Sequence, residues 1–177
     1  TDGKNYLTLP MAKDYKRIGE GDTGLNTGGM GAISPVPFAS AEFIKKIEDR
    51  VIKPTMDGFQ KSNLPFQGFV FIGLIKVGDD PFVIEYNVRM GDPETEVVFP
   101  RIQNDWVELF QAVGTQTLDQ HQLQIDPRTA TTIMAVSGGY PEAYEKGKTI
   151  TGIESAEDSV VFHAGTQMES GVVITSG

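Results

Sequence analysis

Six of the chain's 20 glycines fall between positions 19 and 31, in the run Gly19-Glu20-Gly21-Asp22-Thr23-Gly24-Leu25-Asn26-Thr27-Gly28-Gly29-Met30-Gly31. Each glycine carries extra backbone entropy that ordering must remove, so this density argues against a stable helix and against a central strand. The segment reads as a close-approach loop whose N–H groups turn toward phosphate or carboxylate oxygens. It fits neither the G-x-x-x-x-G-K-[ST] pattern nor G-x-G-x-x-G after a strand. A flexible linker has a similar composition. Against that, Asp22, Asn26 and Thr27 place hydrogen-bonding groups at regular intervals. Residues 6–11 read as a short strand entering the loop. Lys13, Lys16 and Arg17 stand just before it as cations able to meet an anion, and each also fits a solvated surface charge.

A second constellation follows Val83 and Ile84, in Glu85-Tyr86-Asn87-Val88-Arg89-Met90-Gly91-Asp92-Pro93-Glu94. The β-branched and aromatic residues here indicate a strand. Side chains two apart on a strand share a face, so Glu85 and Asn87 project together, their Cα atoms about 7 Å apart. Tyr86 points the other way. A carboxylate and an amide carbonyl form a pair of hard oxygens suited to Mg²⁺, which commonly takes one or two protein ligands plus phosphate oxygens. Arg89 continues the same parity and would meet an anion beside the ion. The E-x-N pattern alone also fits a solvated edge strand. Asp92 and Pro93 then read as N-cap and first residue of a helix, whose free N–H groups attract anions.

Periodicity organises the rest. Ser40 is the expected N-cap of a helix carrying Phe43, Ile44, Ile47, Val51 and Ile52 on one face, ended or kinked by Pro54. Residues 68–77 are apolar on both faces and read as a buried strand. A turn at 78–81 makes them an antiparallel hairpin with the strand 82–87. A helical stretch after Pro93 breaks at Pro100. Asn104 or Asp105 caps another helix with Trp106, Val107, Phe110 and Val113, closed by Gly114. Residues 116–128 are polar, contain Pro127 and read as a linker. Beyond them short strands are expected at 130–137, 148–153, 160–163 and 172–175. That shift from mixed α+β text to all-β text marks a second, small domain.

Composition limits the function classes. A content of 39% apolar and 22% charged residues is ordinary for a soluble domain. No apolar run approaches the roughly 20 residues that span a membrane, and no charged-then-apolar leader is expected from the residues present. The absence of cysteine removes disulfides and thiolate chemistry and fits a reducing, cytoplasmic setting. The net charge of −9 argues against a nucleic-acid surface.

Four motifs occur in one order. They are K-D-Y-K-R-I-G-E-G-D-T-G-L-N-T-G-G-M-G-A, V-I-E-Y-N-V-R-M-G-D-P-E-T-E, S-G-G-Y-P-E-A-Y-E-K-G and F-H-A-G-T. Together they closely resemble the phosphoribosylamine–glycine ligase (glycinamide ribonucleotide synthetase) family of the ATP-grasp superfamily, across essentially the whole chain. The resemblance implies an α+β fold comprising the C-terminal half of an ATP-grasp fold, an antiparallel sheet with packed helices, followed by a small β-rich domain. The expected division is 1–120 for the ATP-grasp portion and 121–177 for a truncated C-terminal domain. Family members are much longer. The chain is therefore expected to be a fragment lacking the N-terminal and lid domains, and inactive when isolated.

The resemblance further implies ATP-dependent ligation of glycine to 5-phosphoribosylamine, with Mg²⁺ or Mn²⁺, through glycyl phosphate. Glu85 and Asn87 are the implied metal ligands. Arg89, Asp22 and Asn26 are implied in catalysis, the loop closing over the reacting centre. Thr27, Gly28, Gly29, Gly31, Asp92, Glu94, Lys16 and Arg17 are implied in substrate binding. Much of the superfamily carries a further acidic metal ligand upstream of the E-x-N glutamate. That position is Gly73 here, with Phe71 and Leu74 nearby, which leaves the number of ions open. His121 falls in the expected linker, and His163 in F-H-A-G-T reads as a hydrogen-bonded packing residue. Two other readings share E-x-N-x-R: a sister ATP-grasp carboxylate–amine ligase, and a non-catalytic nucleotide-binding module. The first is not expected to carry the whole D-T-G-L-N-T-G-G-M-G-A run, and the second would show no turnover.

Overall fold

The computed structural model describes residues 1–177. The chain forms two compact units, Thr1–Asp14 with Gly31–Thr132, and Tyr15–Met30 with Ile133–Gly177. Helices are mixed with antiparallel strand pairs, an α+β composition. No helix is long and apolar enough to cross a membrane.

Strand β1 spans Lys13–Gly19 and β2 spans Thr23–Ser34. Residues 6–11 are not a strand. Their surroundings are tied by side chains instead of a ladder: Tyr6 donates its hydroxyl to Glu48, and Ser34 Oγ donates to the Met11 carbonyl at 2.6 Å. The glycine run also departs from expectation. Only Glu20–Asp22 forms a turn, and β2 is the middle strand of the order β1-β2-β5, where β5 is Ala130–Ile133. Close approach explains why glycine is accepted there. A Cβ on Gly24, at φ 81°, would stand 2.8 Å from Ile18 Cγ2 on the facing strand.

In the first unit Ser40 caps α1 (Ala41–Ile47), its Oγ accepting from the Phe43 N–H at 3.2 Å. Pro54 does not end the helical path. A π-helical turn at Glu48–Ile52 leads into α2 (Lys53–Lys61), which continues beyond the proline. Proline cannot donate to the carbonyl four residues back, and the wider turn absorbs that mismatch. Thr55 Oγ1 supplies a bond to Val51 O at 2.7 Å. Phe43, Ile47 and Val51 form the buried core, packed by Met11, Ala39, Ile52, Ile72 and Leu74. Ile44, expected on that face, is exposed.

The hairpin joins β3 (Phe71–Val77) to β4 (Asp80–Asn87). The expectation of a buried β3 fails. Ile72 and Leu74 pack on the core, but Ile75 and Val77 on the opposite face are 50% and 57% exposed. A two-stranded sheet covered on one side leaves the other open.

After a turn at Asp92–Glu94 come α3 (Thr95–Val98) and a 3₁₀ turn at Phe99–Arg101. Asp105 caps α4 (Trp106–Thr115), accepting from Val107 N and Glu108 N. Gly114 lies inside that helix, and Gln116 closes it in the left-handed conformation at φ 59°. Phe69, Phe99, Trp106 and Phe110 pack as an aromatic group, with Phe99 and Trp106 stacked at 3.9 Å.

Residues 116–128 are no linker. Leu118 is buried, Ile125 bridges to Ile102, and buried Arg101 donates from Nε and Nη2 to the Asp126 carbonyl. A side chain from outside also pins their backbone: Asn104 donates to Gln122 O and accepts from Gln124 N.

In the second unit β6 (Thr166–Glu169) pairs with β7 (Val172–Thr175), the latter as expected. Residues 148–150 run alongside β7 through a single bridge, Thr149 to Ile174, and the bond from Ile150 N to Val173 O. The remaining expected strands shrink or vanish. β5 stops at Ile133, Ile153–Ser155 is a 3₁₀ turn, and 160–163 is irregular. His163 is exposed and shares a hydrogen bond with Thr166 Oγ1, so it is not a packing residue.

Candidate functional site

The β3–β4 register carries the first group of candidates. Phe71 faces Asn87, Ile72 faces Tyr86 and Gly73 faces Glu85, but Leu74 faces Val83. Ile84 is thus the extra residue of a bulge, which resets side-chain parity just before Glu85. Tyr86 points to the helices, its hydroxyl 3.0 Å from Thr55 Oγ1. Glu85 and Asn87 share the opposite face, Glu85 exposed and Asn87 half-buried. Both therefore lie on the face of the hairpin away from the helices.

No group of three or more His, Cys, Asp or Glu side chains gathers as a metal cluster. The local donor set is one carboxylate and one amide oxygen. That set fits Mg²⁺ or Mn²⁺ held jointly with phosphate oxygens, and fits a closed protein cage poorly.

Glycines clear the space around this pair. A Cβ at Gly73 would lie 2.9 Å from Glu85 Cγ and 3.6 Å from Phe71 Cε1. A Cβ at Gly91 would lie 2.9 Å from Phe71 Cε2 and 2.8 Å from Glu94 Cδ. The Phe71 ring is thus flanked by two bare backbones, one beneath Glu85 and one beside Glu94. Reading the sequence for donors alone passed over Gly73, Phe71 and Gly91 as a unit. The available signal was an isolated glycine inside an apolar strand, which marks a bulge or a close approach.

The residues after β4 differ from expectation. The strand ends at Asn87, so Arg89 lies in a bend and does not continue the parity. Its Nη1 donates to the neighbouring Met90 carbonyl at 3.0 Å. Asp92 is exposed in a turn and is not an N-cap, nor is Pro93 the first helical residue. The cap position of α3 falls to Glu94, with no side-chain cap bond. With four residues, α3 is too short to provide the anion-binding helix terminus expected there. Gly91 O instead accepts from both the N–H and Oγ1 of Thr95. Glu94 is 8% exposed.

The second group lies on the β1–β2 hairpin. Asp22 occupies the turn at φ 61°, exposed, and Asn26 is exposed on β2. Thr27 Oγ1 donates to Lys16 O at 2.8 Å and accepts from Gly29 N at 3.0 Å. Arg17 Nη1 donates to Gly24 O at 2.6 Å, holding the two arms together. Gly28 is exposed, and its N–H meets the Tyr140 hydroxyl at 3.5 Å. Gly29 and Gly31 are buried. Among these candidates Asp22, Asn26 and Lys16 are exposed, and Thr27 and Arg17 brace the hairpin.

Comparison with known proteins agrees with the motifs. The family model of the phosphoribosylglycinamide synthetase ATP-grasp (A) domain matches residues 1–95, and that of the C domain of the same synthetase matches residues 130–177. A bifunctional purine biosynthetic protein of Pichia angusta is 47% identical over all of this chain, which covers 23% of that protein. Phosphoribosylamine–glycine ligase of Chlorobaculum tepidum is 42% identical over the whole chain, which covers 42% of its length. The crystal structure of phosphoribosylamine–glycine ligase from Thermotoga maritima superposes with a TM-score of 0.80 at 38% identity, over 99% of this chain and 43% of that one. The chain thus spans less than half the length of these relatives. With the A-domain match covering more than half of its residues and the C-domain match following in the same order, the chain belongs to the phosphoribosylglycinamide synthetase family.

Proposed function

We propose that this chain supplies part of an ATP- and Mg²⁺-dependent ligase that joins glycine to 5-phosphoribosylamine, giving glycinamide ribonucleotide, ADP and phosphate. The observation that carries the proposal is the pair of oxygen donors, exposed Glu85 and half-buried Asn87, on one face of β4 in a chain of this family. The proposal includes the division into a C-terminal ATP-grasp portion at 1–120 and a small β-rich domain at 121–177, with residues 121–132 packing in the first compact unit. The two family matches fall on either side of that boundary.

In the proposed reaction the glycine carboxylate attacks the γ-phosphorus of ATP and ADP leaves, forming glycyl phosphate. The amine of phosphoribosylamine then attacks the acyl carbon, loses a proton and expels phosphate. Positioning and charge neutralisation dominate such phosphoryl transfer. A bound Mg²⁺ would neutralise charge on the phosphates. Glu85 and Asn87 would hold it with their side-chain oxygens. Arg89, released from the Met90 carbonyl, would pair with the transferring phosphoryl group. Asp22 and Asn26 would act on the reacting groups by hydrogen bonding. Thr27, Gly28, Gly29, Gly31, Lys16 and Arg17 would contact substrate through side chain or backbone, as would Asp92 and Glu94 through their carboxylates.

The test is ADP release by a polypeptide of the relatives' length carrying these 177 residues, with glycine and fresh phosphoribosylamine added separately and together. The proposal requires turnover that depends on both. Turnover indifferent to either substrate would assign the chain to a sister carboxylate–amine ligase. A folded, metal-replete protein that releases no ADP would make it a binding module.

A further inference from the structure

Gly73 sits in the middle of β3, where glycine weakens a strand by its backbone entropy and its lack of a packing side chain. Its φ lies outside the positive region, so no unusual backbone conformation calls for glycine. What calls for it is space. Side chains directly opposite in a strand pair normally keep their Cβ atoms about 4.5–5.5 Å apart. Here the Glu85 side chain leans across its partner so far that a Cβ at position 73 would stand 2.9 Å from Glu85 Cγ. That atom is the first beyond the Glu85 Cβ, and its place is set by χ1 alone. Flexing the outer carboxylate cannot relieve the clash, so relief requires a different χ1 rotamer and a displaced carboxylate. The other neighbours of the added Cβ, Glu85 O and Phe71 Cε1, both stand at 3.6 Å, an ordinary contact.

We infer that Gly73 is a positioning residue for the proposed metal-binding carboxylate: its bare backbone leaves the room in which the Glu85 stem takes the rotamer facing away from the helices beside Asn87. This deepens the proposed metal site and rests on that reading. The bulge at Ile84 works with the glycine. It brings Glu85 into register with Gly73, where an unbulged hairpin would set a different partner.

The experiment uses the ¹⁵N-labelled 177-residue chain as wild type, Gly73→Ala, Glu85→Ala and the double variant. Mn²⁺ is titrated with ADP present, to supply the phosphate oxygens that a two-donor site needs, while amide signals around Glu85 and Asn87 are followed for paramagnetic broadening, and thermal unfolding is measured without metal. The inference predicts local broadening in the wild type, its loss in Glu85→Ala, and at least about fivefold weaker apparent Mn²⁺ affinity in Gly73→Ala with a dispersed spectrum. It also predicts that alanine at 73 lowers the Tm when Glu85 is present but not when Glu85 is alanine, because the close atom is then gone. Wild-type Mn²⁺ affinity in Gly73→Ala, or an equal Tm loss in both backgrounds, overturns the inference while leaving the metal site standing. Broadening that survives Glu85→Ala, or is absent from the wild type, overturns the metal site and the inference with it. The thermal cycle would still report whether Gly73 and Glu85 are in contact.

Discussion

Asp2, in the first unit, carries a carboxylate that is fully buried at 0% exposure and accepts four hydrogen bonds. Its Oδ1 accepts from Lys4 N at 2.8 Å and Asn5 N at 2.6 Å, and its Oδ2 from Asn5 Nδ2 and Leu118 N, each at 3.1 Å. Burial pushes the carboxyl pKa up, but the donors from Asn5, Lys4 and Leu118 outweigh it and hold the group at about 2, against an ordinary 3.8. At 1.36 kcal/mol per pKa unit, the difference corresponds to roughly 2 kcal/mol of stability. Because the folded pKa is the lower one, that contribution is complete above pH 3.8 and drains away as pH falls toward 2.

Asp2→Asn removes the charge and turns an N–H donor toward groups that are themselves donors. The expected loss is about 2–3 kcal/mol at pH 7. Trp106 is the chain's one tryptophan and lies in the same unit, so its fluorescence reports unfolding there. In urea the midpoint should drop by about 1 M at pH 7, given the usual sensitivity of small domains. The gap between wild type and variant should close between pH 4 and 2, because both proteins share every other titrating carboxylate. A gap below about 0.5 kcal/mol at pH 7, or one that stays constant down to pH 2, would refute this reasoning.

Two further outcomes follow from local contacts. Tyr6 donates to Glu48 Oε1, and that bond, with burial, raises its pKa to about 12. Its share of stability holds below pH 10 and is lost as pH rises toward 12; tyrosinate absorbance should show a late-titrating step that Tyr6→Phe abolishes. Asp105→Ala removes the bonds to Val107 N and Glu108 N at the start of α4 and should cost about 1 kcal/mol by Trp106 fluorescence. A variant as stable as wild type would mean that tertiary packing alone orders that helix end.

What was legible in the sequence was what short-range chemistry decides. Ser40 and Asp105 cap their helices because a side-chain oxygen reaches an N–H two or three residues on. The opposed faces of Glu85 and Tyr86 follow from strand alternation, although the bulge at Ile84 that sets their partners does not. Local preference misleads where a distant partner outvotes it. The glycine run becomes a middle strand because Ile18 and Thr23 occupy the room its missing side chains leave. Pro54 is tolerated because a π-helical turn precedes it. Residues 116–128 look like a linker until Arg101 reaches Asp126 and Asp2 reaches Leu118. Arg89 and Asp92 were misplaced for a simpler reason: β4 stops at Asn87, and parity has no meaning beyond a strand's end.

The face of β4 bearing Glu85 and Asn87 is proposed to hold the metal of a ligase. The most direct test of that proposal is the Mg²⁺ dependence of ADP release by a polypeptide of the relatives' length carrying this sequence, with both substrates present, as wild type and as Glu85→Gln. The isosteric change leaves the side chain's size and its place over Gly73 intact while removing the charge. The account predicts a half-saturating Mg²⁺ concentration raised at least about tenfold, with activity partly recovered at high Mg²⁺. An unchanged Mg²⁺ dependence in a folded Glu85→Gln protein would contradict it.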